Sequence, residues 1–208
     1  MKTAFILSAS LAIHAAIVAN EAAIESLDRA IGDGDHYINM RRATEAIAGM
    51  YNELQNLPTD DVLNKIGMKL LSTLGGASGP LFASFLLGMS KVAKENGAQS
   101  KLETAAAFAA GVQSIMQRGK ASLGEKTMLD VLIPVSTTFT LCAARGDTVK
   151  EIATALKQAA DDGLESTRNL VATKGRAAQL GERAIGHLDA GAKSCQVMVQ
   201  SVCDLLLK

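Results

Sequence analysis

Apolar residues recur at helical spacing along nearly the whole chain. Between 148 and 172, Val149, Ile152, Leu156, Ala159, Ala160, Gly163, Leu164 and Val171 fall near one face, with Lys150, Lys157 and Asp161 off it. That segment opens Thr148-Val-Lys-Glu151, a capping box, in which hydroxyl and carboxylate each accept a backbone N–H of the first helical turn. A second capping box, Ser100-Lys-Leu-Glu103, predicts a helix running to about Gly119. Pro58-Thr59 punctuates the chain before a helix expected from about Asp61 to Leu74. Further helices are expected over Phe82 to Glu95, Met128 to Ala144 and Ala192 to Leu207; the last places Cys195, Met198, Val199, Val202 and Leu206 on one side. No stretch alternates with a period of two. The pattern predicts about eight helices in one all-α domain spanning 1–208, with no internal repeat and no linker.

The N-terminal stretch has two readings. Met1-Lys2 followed by an apolar run to Ala19 resembles a short secretion signal, but His14 interrupts the run and no small-x-small cleavage site precedes Asn20. The same residues form an amphipathic helix continuing through Glu21 and Glu25 toward Asp28, and this is the reading adopted. No run reaches the 18 apolar residues expected of a membrane span.

Composition narrows the class. Hydrophobic residues make up 48% and aromatics only 3%, so Ala, Leu and Met carry the core, and these favour helix. With 21 basic and 21 acidic side chains the chain lacks the net positive charge that nucleic acid or an anionic membrane would attract. Cys195 and Cys203 on one helix stand about 12 Å apart in rise, too far for a disulfide. With Cys142 they read as free thiols in a reducing cytoplasm.

The glycines gather in the connections, where antiparallel helices could bring them to one rim. Asp28, Asp33 and Asp35 lie within Asp28-Arg-Ala-Ile-Gly-Asp33-Gly-Asp35. Carboxylates so placed repel one another unless a cation sits between them, and magnesium suits oxygen ligands shared with phosphates. A calcium loop does not fit, because the fifth and sixth positions from Asp33 are Tyr37 and Ile38. A helix end with an Asp-Gly turn accounts for the same residues, and both readings stand. Gly75-Gly76-Ala77-Ser78-Gly79 before a helix could let backbone amides approach a phosphate, or could be a plain turn. Gly119-Lys-Ala-Ser-Leu-Gly124-Glu-Lys126-Thr127 is a phosphate-loop pattern with one residue inserted and no preceding strand, which leaves only Lys126 and Thr127 as site candidates. Arg176 in Lys174-Gly-Arg176 could clamp phosphate or be solvated. No Ser-His-Asp or Cys-His arrangement supports a protein nucleophile.

Together these motifs resemble the nucleotide-binding L subunit of bacterial dihydroxyacetone kinase. The segments are Gly32-Asp-Gly-Asp-His36 with Asn39-Met40, Gly75-Gly-Ala-Ser-Gly-Pro80, Gly124-Glu-Lys-Thr-Met128, and Lys174-Gly-Arg176 with Gly181-Glu-Arg-Ala-Ile-Gly-His187-Leu-Asp-Ala-Gly191. The resemblance implies a closed barrel of eight antiparallel helices with the nucleotide at one end. It implies two magnesium ions on Asp28, Asp33 and Asp35, and nucleotide contacts at His36, Tyr37, Ile38, Asn39, Ala77, Ser78, Gly119, Met128, Arg176, Asp189, Ala190 and Gly191, with Arg176 catalytic. It further implies bound ADP, or ATP when phosphorylated, a dihydroxyacetone-binding K subunit as partner, and a phosphohistidine protein of the sugar phosphotransferase system as donor. Tyr37 stands where the family usually has Gly, Glu125 where it has Asp and Ala190 where it has Pro; these departures are expected to alter loop shape and cofactor exchange rather than abolish binding, and Tyr37 to crowd or cover the phosphates. Two other functions use the same site: a kinase component exchanging free ATP for a small ketose, and an ADP-binding regulator that docks on a transcription factor. A helical interaction domain with no nucleotide is the remaining alternative.

Overall fold

The structure, a computed structural model, describes residues 1–76 and 78–208. The expected nucleotide contact Ala77 lies outside them. Among the described residues there are helices and turns but no β-strand. The helices are α1 (Thr3–Ala19), α2 (Glu21–Ile31), α3 (His36–Ala48), the single turn α4 (Tyr51–Leu54), α5 (Thr59–Thr73), α6 (Ser78–Asn96), α7 (Lys101–Gly119), α8 (Leu129–Arg145), α9 (Val149–Ser166) and α10 (Ala190–Leu207). Short 3-10 turns follow α9 at Thr167–Asn169 and again at Ala177–Ala184.

Three boundaries differ from the periodicity. The N-terminal helix is two helices, bent by 65° at Asn20, whose side chain donates to the Ala16 carbonyl at 2.9 Å and competes with helix continuation. Helix α6 starts four residues before the expected Phe82, with Pro80 in its first turn, where a missing N–H costs nothing. Helix α9 stops at Ser166 although the apolar spacing runs on to Val171. There the Thr167 hydroxyl bonds the Leu164 carbonyl at 2.7 Å, and Lys126 takes the Thr167 carbonyl that a longer helix would need. Both capping boxes form as expected.

Each long helix packs on the next: α1 on α3, α3 on α5, then α5 through α10 in chain order, with α10 returning to α1. The connections at one end bond to each other: Thr3 Oγ1 donates to Leu57 O at 2.8 Å, Thr59 Oγ1 to Met1 O at 3.2 Å, and Lys101 Nζ to the carbonyls of Gly146 and Asp147. The glycine-rich connections 32–35, 74–76, 120–128 and 167–189 lie at the opposite end. Phe85, Phe108 and Phe139 meet edge-to-face across α6, α7 and α8, with ring centroids 5.2 and 6.3 Å apart. A largely apolar cavity of about 500 Å³ lies between the helices, bordered by Ile13, Leu70, Phe108, Leu132, Met198 and Leu206. No single described helix is long and apolar enough to cross a membrane.

Helices α8 and α9 touch through Gly163. A Cβ there would fall 2.5 Å from the Asp130 carbonyl oxygen and 2.9 Å from Val131 Cα, backbone atoms that move only if the helices separate. Gly163→Ala should therefore destabilise the fold by roughly 1–3 kcal/mol, even though Ala is the better helix former. Gly49→Ala, whose Cβ meets nothing nearer than 3.6 Å, should be neutral or slightly stabilising. Urea midpoints of the two variants test this; equal midpoints would show that the crossing tolerates a methyl group.

Candidate functional site

The site is built where α2 ends and α3 begins. Asp28 is buried, in the last turn of α2, and its Oδ2 accepts the His36 backbone N–H at 3.0 Å. The chain turns back over this carboxylate at Gly32, where any Cβ would lie 2.0 Å from Asp28 Oδ1. Gly34, with φ of +80°, completes the turn and brings the exposed Asp33 and Asp35 round to Asp28. One carboxylate oxygen from each of the three lies within 4.8 Å of the others. Three hard, anionic oxygens at that spacing fit magnesium, which takes the rest of its shell from water or phosphate.

Arg176 reaches the same cluster from the 167–189 connection, its Nε 2.8 Å from Asp33 Oδ2. The segment carrying it has a small core of its own. Ala172, Ala177 and Ala184, with Leu180, pack on Ile31 at the end of α2.

The remaining expected residues converge from other elements. His36 Nε2 meets Ser194 Oγ of α10 at 2.8 Å, joining the first turns of α3 and α10. Burial lowers the His36 pKa against the opposing charges of Asp28, Asp35 and Asp33, which favours neutral imidazole. Asn39 borders Gly75, whose added Cβ would be 3.7 Å from Asn39 Oδ1. Gly191 borders Met128, and Asp189 caps α10 by accepting the Ala192 N–H at 2.7 Å. Ile38 is exposed and Ala190 buried. Gly119 packs against Leu81, with no contact to the aspartates. Tyr37 does not crowd the cluster: its side chain is buried in the main core. Lys126 and Thr127 also turn inward. The Lys126 ammonium, 1% exposed, donates to the carbonyls of Thr167 and His187, and the Thr127 hydroxyl accepts the Leu129 N–H.

Two contributors went unread in the sequence. Ser194 carries no signal beyond its place one turn into α10. Asp130 does: Thr127-Met-Leu-Asp130 has capping-box spacing, and Asp130 accepts the N–H groups of Thr127 at 2.7 Å and Gly124 at 2.6 Å.

The model of the DAK2 domain matches residues 30–204. The chain is 38% identical over 183 residues to the Listeria innocua protein named PEP-dependent dihydroxyacetone kinase 1, ADP-binding subunit DhaL, covering 88% of this chain and 86% of that one. It is 36% identical over 177 residues to the corresponding ADP-binding subunit of Escherichia coli, covering 85% and 84%. The dihydroxyacetone kinase from C. freundii, crystallised with AMP-PNP and Mg2+, superposes with a TM-score of 0.76 at 23% identity, over 97% of this chain and 34% of that chain. The fold is therefore that of an all-helical kinase domain. The chain belongs to the DAK2 domain family.

Burial pushes the Asp189 carboxyl up to about 6, aided by the Asp130 charge and opposed by the Ala192 N–H and by Lys126. An unfolded Asp titrates near 3.9, so between about pH 4 and 6 the folded chain keeps a proton that the unfolded chain has lost. Stability should fall as pH rises through that window, by at most about 3 kcal/mol. Asp189→Asn removes this component and should gain on the wild type between pH 4 and 7. Urea unfolding of both across the range checks it; parallel curves would contradict it.

Proposed function

We propose that this chain is the nucleotide-holding subunit of a cytoplasmic, phosphotransferase-system-dependent dihydroxyacetone kinase. ADP stays bound as a coenzyme and is rephosphorylated by a phosphohistidine protein. The phosphoryl group then passes to dihydroxyacetone on a separate K subunit. The observation that carries this reading is the convergence of the Asp28–Asp33–Asp35 cluster, the first turn of α3 and Arg176 on one rim. The relatives named as ADP-binding subunits, and the fold neighbour crystallised with AMP-PNP and Mg2+, support it. The eight long helices are read as a closed antiparallel barrel, supported by the return of α10 to α1.

In this reading Asp28, Asp33 and Asp35 hold two magnesium ions. When bound, magnesium offsets the charge of a diphosphate and of the carboxylates themselves. The backbone N–H groups of Tyr37 and Ile38 have no acceptor within α3 and offer donors to phosphate oxygens at the positive end of the helix dipole. His36, fixed by Ser194, and the Asp189-Ala190-Gly191 turn beside Met128 line the rest of the nucleotide site. Gly119 and Ser78 border it. Phosphoryl transfer asks the protein for position and charge stabilisation rather than for a nucleophile, which matches this set. Arg176, exposed and on a connection rather than a helix, supplies charge that can follow the moving phosphoryl group.

Magnesium-ADP at about 100 times its dissociation constant should add about 2.7 kcal/mol of stability, read as a rise in melting temperature. Asp35→Asn should lose that rise and keep its helical content by circular dichroism. If ligand stabilises neither protein, the chain does not hold ADP and the reading fails.

Arg176→Ala should keep bound nucleotide, yet slow single-turnover transfer to dihydroxyacetone on a K-type partner by about 10³-fold or more, as for other arginines that meet transition-state charge. Arg176→Lys should rescue little, since a point charge does not reproduce the planar fork. Nucleotide loss with an unchanged rate per loaded site would make Arg176 a binding residue instead.

A further inference from the structure

Between α9 and α10 the chain passes through residues 167–189, far longer than the connections that join most helices. Arg176 lies near its middle. Its own order is two 3-10 turns and a small alanine core, and its feet meet through Gly186 N–H to Arg168 O at 2.8 Å and Asp189 N–H to Thr167 Oγ1 at 3.1 Å. Both feet are seated on two consecutive residues of the α7–α8 connection. Lys126 Nζ donates to the Thr167 carbonyl at one foot and the His187 carbonyl at the other, both at 2.5 Å. Glu125 takes the limb between them. Its Oε1 accepts the Thr173 hydroxyl at 2.6 Å and lies 3.5 Å from Lys174 Nζ, while its carbonyl accepts the Thr173 N–H at 3.3 Å. Arg176 follows two residues after Lys174 and meets Asp33.

Lys126 is an expensive residue for a merely filled space. Burying an ammonium is costly unless its protons find acceptors, and burial lowers its pKa against the raising influence of Asp189 and Asp130. Its φ of +58° is a left-handed conformation that side chains other than glycine adopt at a penalty. An apolar residue would fill the volume without the first cost. What an apolar residue would not do is tie two carbonyls twenty positions apart. We propose that Lys126 is a positioning residue for phosphoryl transfer: its ammonium closes the neck of the 167–189 connection and so presents Arg176 to the metal cluster. It touches no nucleotide and acts through Arg176. The proposal rests on the function proposed above.

The test uses Lys126→Met, which keeps length and removes the charge and its donors, in the full chain. Hydrogen exchange needs no nucleotide: amides of 168–186 should lose protection while those of α5 to α8 stay unchanged. With nucleotide and partner subunit present, the rate per bound nucleotide should fall by about 100-fold, the loss expected when a reacting group is misplaced by about 1 Å. Nucleotide affinity should stay near the wild-type value. Lys126→Met combined with Arg176→Ala should be no slower than Arg176→Ala alone, since the second change removes what the first misplaces. Unchanged exchange in 168–186, or losses that multiply in the double variant, would overturn the proposal. Should Lys126→Met not fold, Lys126→Arg replaces it, because a planar fork does not seat on both carbonyls as an ammonium does. Exchange and rate should then worsen together, and wild-type values of both, or a change in only one, would overturn it. A wild-type chain that transfers no phosphoryl group would reject the proposed function, and with it the positioning role, while exchange in 168–186 would still report whether Lys126 closes the neck.

Discussion

Three carboxylates whose oxygens lie within 4.8 Å of one another repel, and the rim of this protein is arranged around keeping Asp28, Asp33 and Asp35 there. Each carboxylate is met differently. Asp28 is fixed from below by the His36 N–H and roofed by Gly32, so it has no freedom to swing away. Asp33 is answered by a guanidinium brought from a connection more than a hundred residues later. Asp35 stays in water. Local chain geometry thus sets one carboxylate rigidly and leaves two adjustable, an arrangement in keeping with the cation–phosphate site proposed above.

The rest of the molecule divides into two ends with different duties. At the end away from the aspartates, both capping boxes close their own turns, while Lys101 with Gly146 and Asp147, Thr3 with Leu57 and Thr59 with Met1 tie one connection to another across 45 to 58 residues. At the rim, order comes from side chains reaching across long distances in sequence: His36 to Ser194, Lys126 to His187, Glu125 to Thr173.

How far the sequence could be read depends on whether the order it encodes is local. Periodicity and capping boxes located α7 and α9 at their starts to the residue, because those signals are local. They overran at Val171, because the end of α9 is set by Lys126 from another connection, and no periodicity in 148–172 encodes that. The bend at Asn20 was missed since apolar spacing continues across it, while the competing side-chain bond to Ala16 leaves no mark on the pattern. At the site, the aspartates and Arg176 were legible from spacing and family likeness. Lys126 was legible as a residue of interest and misread in direction, since a lysine among glycines looks like a phosphate ligand until its burial is known. Tyr37 was likewise placed over the phosphates by position, whereas its ring belongs to the core.

The cavity between the helices gives the protein a mechanical character of its own. Interiors packed to crystal density resist compression, but about 500 Å³ of space bordered by Leu70, Phe108, Leu132 and Met198 reaches to the far-end turn at Gln99, Ser100 and Lys101 and leaves the centre less tightly filled. Unfolding that eliminates such a void shrinks the system, so hydrostatic pressure favours it. Under compression this molecule should yield first where its helices line that space.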